Sequence, residues 1–279
     1  MRQITPEHIC SFKKYLLSEE KSPSTIEKYL RDVNAFVSWT TEPEVTKDVV
    51  IKYKSYLSEN YLPSSVNSML SSLMSFFTYL GWNELKVKAL KIQHSFFESS
   101  EKELSNNEYK KLLLAAKSKK DERLYLLLQT ICSTGIRVSE LKHITVSSVY
   151  EGTAMINCKG KRRKILLTDK LCSRLKQYIK KQKIKKGPVF ITKNGNPIDR
   201  SNIWTAMKKL ALIAGVSAKK VFPHNLRHLF ARTFYSVQKD VVRLADILGH
   251  SSLGTTRIYT SESFDTYRSK IEKLGRLLC

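Results

Sequence analysis

Residues Phe222 to Tyr259 read FPHNLRHLFARTFYSVQKDVVRLADILGHSSLGTTRIY. This stretch contains four side chains that can bind or attack a phosphate, namely His224, Arg227, His250 and Tyr259. His224 and Arg227 are three residues apart, which places them on one side of a helical turn. A glycine after an apolar periodic run predicts a helix end, so we expect His250 at a helix terminus or in the turn that follows.

Tyr259 is the side chain in this stretch that can act as a nucleophile. A phenol has a free pKa of about 10, so it attacks a phosphate only where cations surround its target. Taken singly, these residues have plain structural interpretations: an aromatic at the rim of a core, a solvated arginine, and histidines with satisfied hydrogen bonds. Their coincidence at this spacing favours phosphate chemistry.

Two upstream segments carry basic side chains in similarly compact patterns. The first, STGIRVSEL, runs from Ser133 to Leu141 and places Arg137 just after a glycine that predicts the end of a buried helix. By itself Arg137 would form a salt bridge at a helix start, and Glu140, one turn later, can pair with it or hold a lysine. The second segment, residues 158–163, is a glycine-containing basic turn between two short apolar runs and predicts a β-hairpin that presents Lys159.

Together these segments resemble the signature of the tyrosine recombinase (phage integrase) family, which includes the Xer recombinases. The family's C-terminal motif is His-x-x-Arg, then Leu-Gly-His, then a tyrosine nine residues after that histidine, and each part is present here. The family's first arginine box, Thr-Gly-Leu-Arg-x-x-Glu-Leu, is matched with Ile136 in place of leucine. Its lysine hairpin commonly reads Gly-Lys-Gly, whereas this chain has Cys158 at the first position.

The resemblance implies six catalytic residues, which are Arg137, Lys159, His224, Arg227, His250 and Tyr259. The tyrosine would attack a DNA phosphodiester, leaving a 3′-phosphotyrosine and a free 5′-hydroxyl, and the lysine would protonate the leaving oxygen. Each arginine can donate two hydrogen bonds to the non-bridging oxygens of the pentacoordinate transition state. The histidines can add hydrogen bonds or accept the tyrosine proton.

Basic residues that follow Lys159 on the hairpin are expected to hold the DNA backbone. They are Lys161, Arg162, Arg163 and Lys164. Since Cys158 departs from the family pattern and Lys161 occupies the same hairpin, the acid can be either Lys159 or, two residues on, Lys161.

The charge of the chain is distributed unevenly. Its 49 Lys and Arg against 25 Asp and Glu give a formal net charge of +24. Residues 1–100 hold 12 basic and 11 acidic groups, and residues 101–279 hold the other 37 basic and 14 acidic groups. A field of one sign over one half of a chain predicts a polyanionic partner, which we interpret as double-stranded DNA. The lysine run of residues 180–186 is equally well explained as a solvated surface.

Other features of the composition exclude several classes of protein. No apolar run approaches 18 residues, so we expect no membrane association. Five scattered cysteines predict neither a disulfide framework nor a zinc site, and they favour the cytoplasm. Since no acidic cluster with metal-binding spacing accompanies the basic residues, a two-metal nuclease is not expected, and we predict no cofactor.

The sequence predicts a mainly α fold with a small β-hairpin (α+β) and two domains. Residues 1–82 read as a bundle of four amphipathic helices, which the resemblance identifies as a core-binding domain. Its candidate DNA contacts are Lys13, Lys14, Lys28 and Arg31, with a solvated face as the alternative. Residues 83–103 read as a linker and 104–279 as the catalytic domain. A last helix, Phe264 to Leu278, either packs on its own domain or, as the resemblance implies, docks on a neighbouring protomer in a tetramer.

These expectations lead to a site-specific recombinase that acts on inverted-repeat core sites without metal or ATP. It would integrate or excise a mobile element or perform Xer-type resolution. A type IB topoisomerase shares the phosphate chemistry but does not assemble two sites in a tetramer. A non-enzymatic DNA-binding regulator would explain the charge and the helices, but it gives no reason for five residues to coincide: Arg137, His224, Arg227, His250 and Tyr259.

Overall fold

The chain forms two units, each with its own hydrophobic core. In the computed structural model, residues 2–92, 103–158, 161–250 and 252–257 are described. The units comprise residues 1–94 and 95–279.

Four helices build the N-terminal unit: α1 (Pro6–Ser18), α2 (Pro23–Trp39), α3 (Lys47–Asn60) and α4 (Pro63–Tyr79). Aromatic side chains fill its centre. The ring of Phe12 contacts that of Phe76, and the ring of Phe36 contacts that of Tyr53, each edge-to-face with 5.0 Å between the ring centroids. The side chain of Ser22 caps α2, and Pro23 occupies the first turn. Ser24 therefore lies inside the first turn of α2 rather than at its cap.

Lys28 belongs to a hydrogen-bond network inside the N-terminal unit. Its Nζ donates to Asp32 Oδ2 at 2.6 Å, to Ser72 Oγ at 2.8 Å and to the carbonyl oxygen of Ser68 at 2.9 Å. Asp32 is only 3% exposed, so the ammonium group compensates a buried carboxylate. An ammonium group has three N–H donors, and these contacts use all three. Of the four candidate DNA contacts in this unit, Lys28 is therefore a structural residue.

The C-terminal unit surrounds one central helix with further helices and a small sheet. Over the described residues, its α-helices are α5 (Asn106–Ser118), α6 (Glu122–Thr134), α7 (Val146–Glu151), α8 (Asp169–Lys181), α9 (Arg200–Ile213), α10 (Pro223–Gln238), α11 (Val241–Leu248) and α12 (Leu253–Arg257). Helix α6 packs against α5, α8, α9 and α10. Because it has neighbours on several sides, its sequence is apolar nearly all round.

Strands β1 (Thr153–Cys158) and β2 (Lys161–Leu166) pair antiparallel. The predicted hairpin is present, but its predicted turn of residues 158–163 is too long, since only positions 159 and 160 separate the strands. The basic residues of β2 follow the two-residue period of a strand. Arg163 pairs with the buried Ile156 and shares its inward face, whereas Arg162 and Lys164 are exposed.

The predicted fold class is confirmed, since the described residues are mostly helical with one two-stranded sheet. Within the described ranges, every helix is too short or too polar to cross a membrane.

Candidate active site

Arg227 lies at the centre of the candidate site and is 2% exposed. It projects inward from the second turn of α10, which begins at Pro223. Its Nη1 donates to the carbonyl oxygen of Gly135 at 2.6 Å, and its Nη2 donates to that of Leu248 at 2.7 Å. Both acceptors lie at helix C-termini, where carbonyl groups lack intrahelical partners and carry partial negative charge. The guanidinium therefore joins the ends of α6 and α11 to α10.

Gly135 makes this close approach possible. It ends α6 in the left-handed region, with φ of +64°. A Cβ at this position would lie 2.5 Å from Cδ1 of Phe230 and 2.8 Å from Cδ2 of Leu248. Any side chain would therefore be strained and would push α10 and α11 away from α6.

Arg137 lies at the start of a 3₁₀ helix, Val138–His143, and is fixed by Glu140. Its backbone N–H donates to Glu140 Oε2 at 2.9 Å, and its Nη1 donates to Glu140 Oε1 at 3.0 Å. The side chain of Glu140 is 4% exposed and that of Arg137 is 39% exposed. A buried carboxylate thus orients a guanidinium that is open to a ligand.

Glu140 stays ionised despite its burial. Burial by itself raises the pKa of this carboxyl group, but the hydrogen bond from the backbone of Arg137 and the charges of Arg163 and Arg137 outweigh it, and the pKa lies below its ordinary value.

Three arginines meet at the end of α11. Consecutive carbonyl groups each accept from a different arginine: Ile247 O from Arg163 at 2.5 Å, Leu248 O from Arg227 at 2.7 Å and Gly249 O from Arg137 at 3.4 Å. The negative end of the helix dipole favours this convergence of cations.

His250 follows this helix end, and its contacts define its tautomer. Nη2 of Arg227 lies 2.9 Å from Nε2, and Oγ1 of Thr256 lies 2.9 Å from Nδ1. A guanidinium can only donate, so Nε2 is the acceptor and Nδ1 carries the proton of the neutral ring. Burial, followed by the charge of Arg227 and neighbouring cations, lowers the pKa of His250 to about 4.

His224 and His228 lie one helical turn apart on α10, and their ring centroids are 4.4 Å apart in an edge-on arrangement. Burial and then the charges of Arg227 and Arg137 lower the pKa of His224. Burial and then His224 lower the pKa of His228 to about 4. His228 was not singled out from the sequence, although its place four residues after His224 is a visible signal.

The structure brings four of the six sequence-predicted catalytic residues into one cluster: Arg137, His224, Arg227 and His250. Glu140, Arg163 and Thr256 join them there. Lys159 and Tyr259 lie outside the described residues, as do the side chain of Lys161 and the predicted C-terminal helix.

The cluster has the chemistry of an anion site. Two guanidiniums fixed by protein acceptors can bind phosphate oxygens, and imidazoles that are neutral at pH 7 can exchange protons. Among the described residues, no group of three or more His, Cys, Asp and Glu side chains is arranged to hold a metal ion.

Comparison with known proteins gives two family matches that together span most of the chain. Residues 102–265 match the Phage integrase family, and residues 9–84 match the Phage integrase, N-terminal SAM-like domain.

Similar curated proteins include tyrosine recombinase XerA of Pyrococcus horikoshii, 30% identical over 94% of this chain and 91% of the relative. Tyrosine recombinase XerD of Vibrio cholerae is 29% identical over 85% of each chain. Among solved structures, the pre-cleavage complex of XerH with its difH substrate has the same fold. Its TM-score is 0.70 with 22% identity, over 88% of this chain and 78% of that chain.

The lowered histidine pKa values predict how stability depends on pH. In the unfolded chain, histidine protonates near pH 6.5, whereas folded His228 and His250 protonate only near pH 4. Since the unfolded state binds more protons between these values, the free energy of unfolding should fall as pH is lowered from about 6.5 to about 4.

Urea unfolding of the C-terminal unit would measure this dependence through the fluorescence of Trp204, with Trp39 and Trp82 replaced by Phe. The substitution His228→Gln keeps a polar side chain but removes one titrating group, so it should flatten the dependence. An unchanged slope in the variant would contradict the assignment.

Proposed function

The chain belongs to the phage integrase family, and from that membership we propose that it is a site-specific DNA recombinase that cleaves and rejoins strands through a 3′-phosphotyrosine. The observation that carries the proposal is the convergence of Arg137, Arg227 and the neutral His250 at the end of α11, with His224 on α10 close enough for both arginine charges to lower its pKa. The same convergence supports the catalytic assignment made from the motifs.

The two arginines bind the scissile phosphate from different depths. Arg137 is accessible to DNA, and Arg227 lies deeper in the cluster. Negative charge grows on the non-bridging oxygens as the pentacoordinate transition state forms. Guanidiniums that protein acceptors already hold in place stabilise this charge without reorganisation, and loss of one such donor typically costs about 10²–10³ in rate.

The neutral histidines are suited to move a proton once DNA is bound. Their pKa values are low because burial and the arginine charges disfavour the imidazolium form. A bound phosphate brings negative charge beside them and raises those values towards neutrality. His224 then accepts the phenol proton more readily, and the resulting cation stabilises the transition state, whereas Nε2 of His250 already accepts from Arg227.

The chemical steps conserve the energy of the phosphodiester. Oη of Tyr259 forms a bond to phosphorus, the bond to the 5′-oxygen breaks, and Lys159 supplies the proton to that oxygen. Attack by the 5′-hydroxyl of a partner strand reverses these steps and releases the tyrosine. Because the phosphotyrosine bond retains the energy of the phosphodiester, rejoining needs no ATP.

Double-stranded DNA with inverted-repeat core sites is the proposed substrate. The excess of positive charge in residues 101–279 and the exposed Arg162 and Lys164 on the hairpin support backbone binding. Residues 1–82 act as a core-binding domain and residues 83–103 as a tether to the catalytic domain, 104–279. Four protomers assemble on two sites, and the helix predicted from the sequence at residues 264–278 is the segment proposed to join neighbours.

The biological reaction is integration or excision of a mobile element, or Xer-type resolution, in the cytoplasm.

The nucleophile can be tested with a nicked suicide substrate, in which loss of the short leaving strand traps the covalent adduct. Tyr259→Phe removes only the attacking oxygen, so this variant should bind DNA like the wild type and form no adduct on a denaturing gel. The matched control is Tyr150→Phe, at an exposed tyrosine of α7, which should form adduct normally. Adduct formation by Tyr259→Phe would show that another residue attacks.

The general acid can be identified with DNA that carries a 5′-bridging sulfur at the cleavage site. A thiolate leaves without protonation, since thiol pKa values are about 8.5 against about 15.7 for water. Cleavage by Lys159→Ala should therefore be restored on the sulfur substrate, whereas Arg137→Ala should recover little, because its task remains. If Lys161→Ala is instead the defective variant that sulfur restores, the acid is Lys161.

A further inference from the structure

Arg163 occupies an unusual position for a hairpin residue that the sequence assigns to DNA binding. Its side chain is 13% exposed, whereas the neighbouring Arg162 and Lys164 are exposed. The strand register explains the difference, because Arg163 lies opposite the buried Ile156 on the inward face of the sheet. The guanidinium is thus turned towards the cluster of catalytic groups.

One arm of this guanidinium reaches Glu140. Nη2 of Arg163 donates to Glu140 Oε2, the oxygen that also accepts from the backbone N–H of Arg137. The other oxygen of the carboxylate accepts from the Arg137 side chain. Arg163 therefore acts on Arg137 through a single shared carboxylate.

The other arm reaches the end of α11. Nη1 of Arg163 donates to the carbonyl oxygen of Ile247 at 2.5 Å. A Cβ built on Gly249 would lie 2.7 Å from Cδ of Arg163 and 3.1 Å from its Nε, so the arginine side chain passes directly over this glycine. His250 is the next residue, and its position follows from that of the helix end.

We propose that Arg163 is a positioning residue for DNA cleavage, holding Arg137 through Glu140 and His250 through the end of α11. This proposal rests on the proposed function and replaces the DNA-backbone contact expected of Arg163 from the sequence. The planar fork of arginine suits the task, because its two ends donate in fixed directions to acceptors on different segments. A lysine ammonium in the same place cannot span both acceptors in that geometry.

The test measures the single-turnover rate of adduct formation at saturating DNA, together with DNA affinity over a range of salt concentrations. Arg163→Met should lower the rate by about 10- to 100-fold, because small displacements of reacting groups have effects of this size. The affinity and its salt slope should stay close to those of the wild type. Arg163→Lys should recover only part of the rate.

Arg123→Met is the matched control for loss of a half-buried arginine. Arg123 also donates to a backbone carbonyl, that of Ile191 at 2.8 Å, in the same unit but outside the cluster. Its replacement should leave the cleavage rate unchanged.

A second readout does not depend on activity. The imidazole ¹⁵N signals of His250 in the DNA-free protein should shift in Arg163→Met and not in Arg123→Met. Failure of the wild type to form any adduct would defeat the proposed function, whereas unshifted His250 signals would defeat the positioning role alone.

Combining Arg163→Met with a substitution of Glu140 tests whether Arg163 acts through this carboxylate. In a Glu140→Gln background, Arg163→Met should cost much less rate than it does alone, because the shared carboxylate is already altered. Additive losses would overturn the route through Glu140.

Two further outcomes would also overturn the proposal. One is an unchanged saturated rate with a salt slope reduced by about 1, which is the behaviour of a phosphate contact. The other is recovery of the cleavage rate of Arg163→Met on DNA with a 5′-bridging sulfur, which would show that Arg163 acts on the leaving group. If Arg163→Met does not fold, Arg163→Lys decides: a reduced saturated rate supports positioning, and a wild-type rate contradicts it.

Discussion

Hydrogen bonds from arginines to the backbone carbonyls at the C-terminal end of α11 hold the site together. The most buried of these arginines, Arg227, also bonds the end of α6, so one cation holds three helices together. A carbonyl group buried without a partner costs about 1–3 kcal/mol, and a buried charge without acceptors costs more. The carbonyl groups therefore need the guanidinium of Arg227 as a donor, and the guanidinium needs them as acceptors. The cation that the chemistry requires is thus also part of the core.

Because of this arrangement, the electrostatics of the site are preorganised before DNA binds. Burying Glu140 beneath two arginines fixes their directions while leaving the cluster with a net positive charge. Burial, together with this positive field, keeps the histidines neutral, as their lowered pKa values indicate. A DNA phosphate supplies the missing negative charge, so binding of the substrate and activation of the imidazoles are linked.

Local signals in the sequence predicted the local parts of this site. Gly135 and the glycine before His250 mark helix ends, and the three-residue spacing placed His224 and Arg227 on one helix, as observed. Contacts between distant segments were not accessible in this way, because Arg227 and Gly135 are 92 positions apart. The direction of Arg163 depends on the strand register, which the overlong predicted turn obscured. The role of Lys28 likewise became visible only when α4 brought Ser72 to it.

Trp204 fluorescence, with the other tryptophans replaced, would give the free energy of unfolding of the C-terminal unit in Arg227→Met and in Arg137→Met. If a buried guanidinium holds the helix ends together, Arg227→Met should destabilise this unit by about 3 kcal/mol or more, because the carbonyl groups of Gly135 and Leu248 both lose their donor. Arg137→Met should cost less, about 1–2 kcal/mol, because the buried Glu140 keeps its hydrogen bonds from Arg163 and from the backbone N–H of residue 137. Equal stabilities of the two variants would contradict the account.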